Sequence, residues 1–223
     1  MRNHRWLESH GLLMSVLVIL VILIGGIVEI VPLYFVRSSV PPIEGVVPYL
    51  PLELEGRDIY IREGCYVCHS QMVRPFRDET ERYGPYSKAG EFVYDRPFQF
   101  GSKRNGPDLH RVGGKYPDSW HYMHMKNPRD TSPESLMPNY PWLLEHKLST
   151  AYTQKKMQVL AQMGVPYTAD DIESAKIKLH YQAQDIVDRL KKSGIEDATP
   201  DKEIIALIAY LQKLGSDIHW RDQ

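Results

Sequence analysis

The stretch "GLLMSVLVILVILIGGIV", Gly11 to Val28, carries no charged residue, and apolar character resumes after Glu29 as far as Val36. A run this long crosses a bilayer as a helix, the one open-chain structure that satisfies its own backbone polar groups there. A cleaved signal peptide has a shorter apolar core and a small-residue cleavage site, and "EIVPLYFVRSS" offers none. A buried core helix is the other alternative, and the length favours an uncleaved anchor over it. Arg2 and Arg5 precede the run and only Arg37 follows closely, so the short tail stays in the cytoplasm and the rest is exported. Trp6 and Tyr34 sit where interfacial aromatics anchor a span. Glu29 either marks the water boundary or, because "VPLYFV" continues the apolar stretch, is buried against a partner helix.

The expected organisation is a tail and anchor over 1–37, an extended connector over 38–51 and an exported domain over 52–223. With 27 Lys and Arg against 28 Asp and Glu, nothing points to nucleic acid. Pro41, Pro42, Pro48 and Pro51 discourage regular helix in the connector. "LELEGRDIYIREGC" is compatible with a helix that delivers Cys65 at its end. From Arg74 to Arg111 the composition predicts an ordered loop region packed against something. A helix is predicted over 118–126, ended by the bias Pro128 imposes on Asn127. Thr168 with Asp171 marks another helix start, and Ile172, Ala175, Leu179, Ala183, Ile186, Val187 and Leu190 recur at helical spacing. In "TPDKEIIALIAYLQKLG", Thr199 is the expected cap, Pro200 the first helical residue and Gly215 the stop. No strand pattern appears, so the fold class is mainly α.

Both cysteines of the chain lie in "REGCYVCHSQMVRPF", with a histidine directly after the second. In an oxidising compartment a Cys65–Cys68 disulfide is one reading. A thioredoxin-like redox motif is another, but it wants a βαβ pattern that is absent. Structural zinc needs a further ligand pair, and only the H-x-x-H of His121 and His124 offers one. Covalent haem accounts for Cys65, Cys68 and His69 together: two thiols add to the vinyl groups and the adjacent imidazole becomes the proximal ligand.

An electron carrier's haem iron usually takes a second axial ligand. Met72 follows His69 too closely to reach the other face of the ring. Met123 and Met125 belong to the expected 118–126 helix, and Met157 and Met163 to a polar helical stretch expected beyond the compact part. Met137 in "ESLMPNYPW" sits among Pro133, Pro138 and Pro141, which restrict the loop, and is the preferred ligand. His121 or His124 would give a bis-histidine centre instead. "GPDL", Gly106 to Leu109, resembles the class I cytochrome c segment whose proline carbonyl accepts from the ligand histidine, which makes Pro107 the expected acceptor. A plain turn is the alternative.

With these residues in place the chain resembles the monohaem cytochrome c subunit, subunit II, of cbb3-type cytochrome c oxidases. The resemblance rests on "GGIVEIVPL", "EGCYVCHSQMVRPF", "YGPYSKAGEFVYDRPFQFGSKRNGPDLHRVGGKYPDSWHYMHMKNPR" and "SLMPNYPWL", spread over residues 25 to 144. It implies a class I cytochrome c-like domain with insertions on a single membrane anchor in a bacterial inner membrane, with the haem domain periplasmic. It further implies one haem c on Cys65 and Cys68, His69 and Met137 as axial ligands, and electron transfer to the haem-copper catalytic subunit beside a further c-type cytochrome subunit. The subunit itself performs no bond chemistry. The region 74–111 would be a docking surface, or a loop folded over its own haem edge. Arg74 and Arg111 would pair with haem propionates or form ordinary surface ion pairs, and Ser102 would contribute to a calcium site shared with the catalytic subunit. A stand-alone tethered cytochrome c, the cytochrome subunit of a nitric oxide reductase, and a disulfide- or metal-stapled anchor protein are the alternatives.

Overall fold

A computed structural model describes residues 2–35 and 40–218. Arg37, the 37/38 boundary, the side chains of Arg2 and Tyr34, and the last five residues lie outside the described residues. The chain divides into two compact units, Met1–Pro41 and Pro42–Gln223.

The first unit contains α1 (Arg2–Glu8) and α2 (Gly11–Phe35). Over Gly11–Pro32 helix α2 is long and apolar enough to cross a membrane, and none of it is buried within the protein. Apolar side chains on every side of a helix, with no core of their own to enter, need lipid or another protein around them. The helix runs through Glu29 without a break.

The regular structure of the second unit is helical among the described residues. Its elements are α3 (Pro51–Arg62), α4 (Cys65–Cys68), α5 (Arg77–Tyr83), a 3-10 turn (Ala89–Phe92), α6 (Asp118–Lys126), α7 (Pro128–Thr131), α8 (Trp142–Glu145), α9 (Thr153–Gln162), α10 (Ala169–Glu173), α11 (Ala175–Lys192) and α12 (Glu203–Lys213). Among the described residues the only β pairing is an isolated bridge between Lys147 and Lys202.

The core forms where α3 and α12 cross, with α6 and α11 packed around them. Helix α12 is buried over its length because Glu203 to Leu211 face neighbours on all sides. Ile204, Ile205, Leu207 and Ile208 are each at most 1% exposed, and each such side chain contributes about 1.5–3 kcal/mol by leaving water. The crossing is close because Gly56 has no side chain. A Cβ there would lie 1.8 Å from the Ala206 carbonyl oxygen and 2.9 Å from the Tyr210 Cβ. At the end of the crossing Arg62 grips Glu203 with two hydrogen bonds of 2.7 and 2.5 Å.

Several sequence expectations shift here. Helix α3 starts at Pro51, whose missing N–H costs nothing at a first helical position. Ahead of it, Tyr49 packs on the core and the Val47 N–H donates to Asp217, so this part of the connector is folded into the second unit. Helix α12 starts at Glu203 rather than Pro200. The Thr199 hydroxyl bonds the Asp201 side chain at 2.6 Å, and the backbone of Lys202 is engaged across the bridge to Lys147. Gly215, at φ +71°, follows the end of that helix as expected. The Thr168 capping box forms, but the helical run breaks at Ser174 into α10 and α11. Met157 is not outside the compact part: it is 1% exposed, in a small cluster with Leu54 and Ala175. Helix α6 occupies 118–126 as predicted.

Gly56→Ala should therefore force α3 and α12 apart and lower stability by about 3 kcal/mol. Denaturant unfolding of the full chain in detergent checks this, with Gly25→Ala, whose Cβ meets nothing within 4 Å, as the neutral control. Equal midpoints for the two variants would contradict the close crossing.

Candidate functional site

Helix α3 ends at Arg62, and Gly64, at φ +69°, reverses the chain. That left-handed conformation suits glycine and lets a new turn start at once. The turn is α4, which sets Cys65 and Cys68 on one face at i, i+3 spacing. The His69 N–H closes it by donating to the Cys65 carbonyl at 2.9 Å, and His69 itself leaves in an extended conformation. Neither thiol is in a disulfide. Burial, with Glu63 nearby, pushes the Cys65 thiol up to about 12, which leaves little thiolate for disulfide exchange.

The His69 Nδ1 lies 2.9 Å from the Pro107 carbonyl oxygen. A carbonyl only accepts, so Nδ1 carries the proton and the lone pair is left on Nε2, the form in which an imidazole binds a metal. Burial lowers the His69 pKa, against the raising effects of Pro107 and Asp108. Gly106 makes the approach possible: a Cβ there would stand 2.2 Å from the His69 Cε1.

The two segments are laced along their backbones. The Gly106 N–H donates to the Cys68 carbonyl at 3.0 Å and the Leu109 N–H to the Ser70 carbonyl at 2.8 Å. Asp108 locks them with its carboxylate, which accepts from the Ser70 hydroxyl at 2.6 Å, the Met72 N–H at 2.8 Å and the His110 N–H at 2.9 Å. Arg104 adds a second lock, donating to the Ser70 Oγ at 2.6 Å, the Met72 carbonyl at 2.9 Å and Glu79 at 2.6 Å. Burial alone would raise the Glu79 pKa, but hydrogen bonds from Arg104 and from the Arg74 backbone and side chain hold it at about 2. Ser70, Arg104 and Asp108 lie within the segments that carry the resemblance, but no sequence signal pointed to these contacts, and Glu79 lies outside those segments.

Met137 lies half-buried between α7 and α8 and packs against the core. Its N–H donates to the Ser135 hydroxyl at 3.2 Å, and the Tyr140 N–H ties the loop to α6 through the Met125 carbonyl at 2.8 Å. Met125 is buried in the core and Met163 is exposed. His121 is buried, and its Nε2 has no partner among the described residues. His124 is half-buried, stacked on Trp120 at 4.4 Å, and its pKa is lowered to about 4 by burial and by the nearby His69.

Arg74 pairs with Glu79, beside its cation–π contact to Phe76 at 5.4 Å. Arg111 is not on the surface. Its side chain is 7% exposed and bonds Glu91 and the Pro85 carbonyl. Ser102 is exposed. Among the described residues no group of three or more His, Cys, Asp and Glu side chains is arranged to hold a metal ion.

Two thiols on one helical turn, followed by an imidazole whose Nε2 lone pair is set by a proline carbonyl, fit a covalently attached haem, and with the helical fold they define a c-type cytochrome. The family model described as cytochrome c oxidase, mono-heme subunit/FixO matches residues 4–218, and the chain belongs to that family. It is thus a monohaem cytochrome c subunit of a cbb3-type oxidase. Comparison with curated proteins gave no match.

Glu79 titrates near 4.5 ordinarily and near 2 in the fold. A depressed carboxylate stabilises the fold above its unfolded pKa, and this contribution fades as pH falls through the folded pKa. Stability measured by denaturant should therefore drop more steeply between pH 4.5 and 2 in the wild type than in Glu79→Gln. Parallel profiles would show that the Arg104–Glu79 lock does not respond to acid.

Proposed function

We propose that this subunit carries one haem c, bound through thioethers to Cys65 and Cys68, with His69 and Met137 as axial ligands. It passes single electrons from a cytochrome c donor to the haem-copper catalytic subunit, where oxygen is reduced to water, and sits beside a further c-type cytochrome subunit. The observation that carries this reading is the His69 to Pro107 hydrogen bond of 2.9 Å beside the cysteine turn. The haem supplies reversible one-electron chemistry at iron. Pro107 and Gly106 orient the imidazole, Asp108 and Arg104 keep that segment rigid, and a thioether from Met137 favours the reduced state.

The tail lies in the cytoplasm and the second unit in the periplasm of a bacterial inner membrane, in line with the positive-inside tendency. The anchor then ends near residue 37, and the haem domain follows the connector. Within the region from Arg74 to Arg111, Phe76, Tyr86 and Phe98 remain 54%, 46% and 50% exposed, and they form the apolar part of the docking surface for the catalytic subunit. Ser102 is exposed, as a ligand to a calcium ion shared with another subunit must be.

Cys65→Ala combined with Cys68→Ala should leave a chain without haem staining on a denaturing gel. A surviving stained band would overturn the assignment. In this reading Glu29 faces a partner helix, which is supported by the continuation of α2 past it to Phe35. Glu29→Gln should weaken co-purification of the catalytic subunit while membrane insertion and covalent haem are kept. Equal recovery with wild type would leave Glu29 as a boundary residue.

A further inference from the structure

Pro32 lies inside helix α2, which continues past it to Phe35. Proline has no N–H, so the Val28 carbonyl, four residues earlier, is deprived of the donor that a regular turn supplies. Glu29 is next along the chain, and its carboxyl makes no hydrogen bond or ion pair with another described residue. Over Gly11–Pro32 none of the helix is buried within the protein, so the chain does not itself cover either group. In hydrocarbon both need a donor, and the donors at hand there belong to other helices.

Gly25, Glu29 and Pro32 follow one another at i, i+4 and i+7, which places them on one stripe of α2. Glycine is a costly residue inside a helix, and the chain has no internal use for this one. A Cβ on Gly25 would meet nothing within 4 Å, and its φ is not positive. A position without a side chain lets a second helix approach to backbone distance, where a side-chain donor can reach a main-chain carbonyl one turn away. Val21 and Val28 flank this stripe, while Leu23 and Ile30 stand on the opposite side of the helix.

From this arrangement we propose that the Gly25, Glu29 and Pro32 stripe is a docking face for a membrane-spanning helix of a partner subunit, whose N–H or O–H side chains hydrogen-bond the Val28 carbonyl and the Glu29 carboxyl. A second copy of this chain does not complement the face, because it would set carbonyl against carbonyl and carboxyl against carboxyl. A different chain with donors at that level does, and membership of an oxidase complex supplies such partners. The inference rests on the reading of α2 as an anchor with Glu29 toward a partner. It adds the side of the helix, a second acceptor and the chemistry of the partner.

The test uses the whole complex in its membrane, crosslinked before extraction in mild detergent. A photo-reactive phenylalanine analogue at Val21 or Val28 should crosslink to a partner subunit, and the same residue at Leu23 or Ile30 should not join this chain to any protein. Gly25→Leu and Pro32→Ala should each lower the partner subunit recovered with this chain by about threefold, the worth of one average hydrogen bond between membrane helices. Leu23→Phe should leave recovery at the wild-type level. Protein crosslinks from Leu23 or Ile30, a crosslink from Val28 that joins two copies of this chain, or full recovery with Gly25→Leu or Pro32→Ala would overturn the inference. Failure of the underlying reading looks different: a wild-type chain absent from the membrane fraction removes the anchor, and one recovered with no other subunit removes the assembly.

Discussion

The segment after the cysteine turn and the segment around Pro107 must run side by side at backbone distance, because one imidazole hangs on their register. His69 is 38 residues from the carbonyl that orients it, and a slip of one residue would remove the acceptor. The Cys68 to Gly106 and Ser70 to Leu109 hydrogen bonds set the register. Asp108, its side chain fully buried, guards it by taking three donors from the opposing segment and its own. A buried carboxylate with satisfied lone pairs is costly to disturb, since any slip would leave the charge desolvated and unpaired.

The region between these two segments is held in by buried charge. Arg57 on α3 pairs with Asp95 at 3.0 Å, both side chains at most 5% exposed. Arg111 pairs with Glu91, and Arg104 with Glu79. Breaking the Arg57–Asp95 pair would strand a charge where water hardly reaches, at a cost of about 3–5 kcal/mol. The region has little regular structure, but it is not loose. Its ion pairs take the place of the helix packing that holds the rest of the unit.

Much of this was legible in the sequence where a local rule governs. Pro128 ends a helix at Asn127 because its ring constrains the preceding residue, and α6 stops there. The cysteine turn and His69 could be read because their spacing is the chemistry, and Pro107 through the resemblance of "GPDL" to the class I cytochrome c segment. Thr199 and Pro200 misled because a good local start was overridden by the bridge from Lys202 to Lys147, which lies far off in sequence. Met157 looked peripheral since its neighbours in "TQKKMQVLAQ" are polar, yet a single methionine on that helix enters a cluster completed by Leu54 and Ala175. For Arg111 the sequence left a haem propionate and a surface ion pair open, and only the fold reveals Glu91 as a partner.

The same distinction explains why the ligand histidine is easier to read than its support. A ligand's identity is limited to a few side chains by the softness and geometry of the metal, so it leaves a motif. The surrounding groups need only be an acceptor at the right point, which a proline carbonyl, a threonine hydroxyl or a carboxylate can each supply. In this chain Pro107 serves His69, and Asp108 serves the segment that follows it, through the Ser70 hydroxyl and the Met72 N–H. The acceptors differ in residue type but serve one end, the direction of a ring or a backbone. Residue type alone therefore does not mark them, since what they share is a place in the hydrogen-bond network.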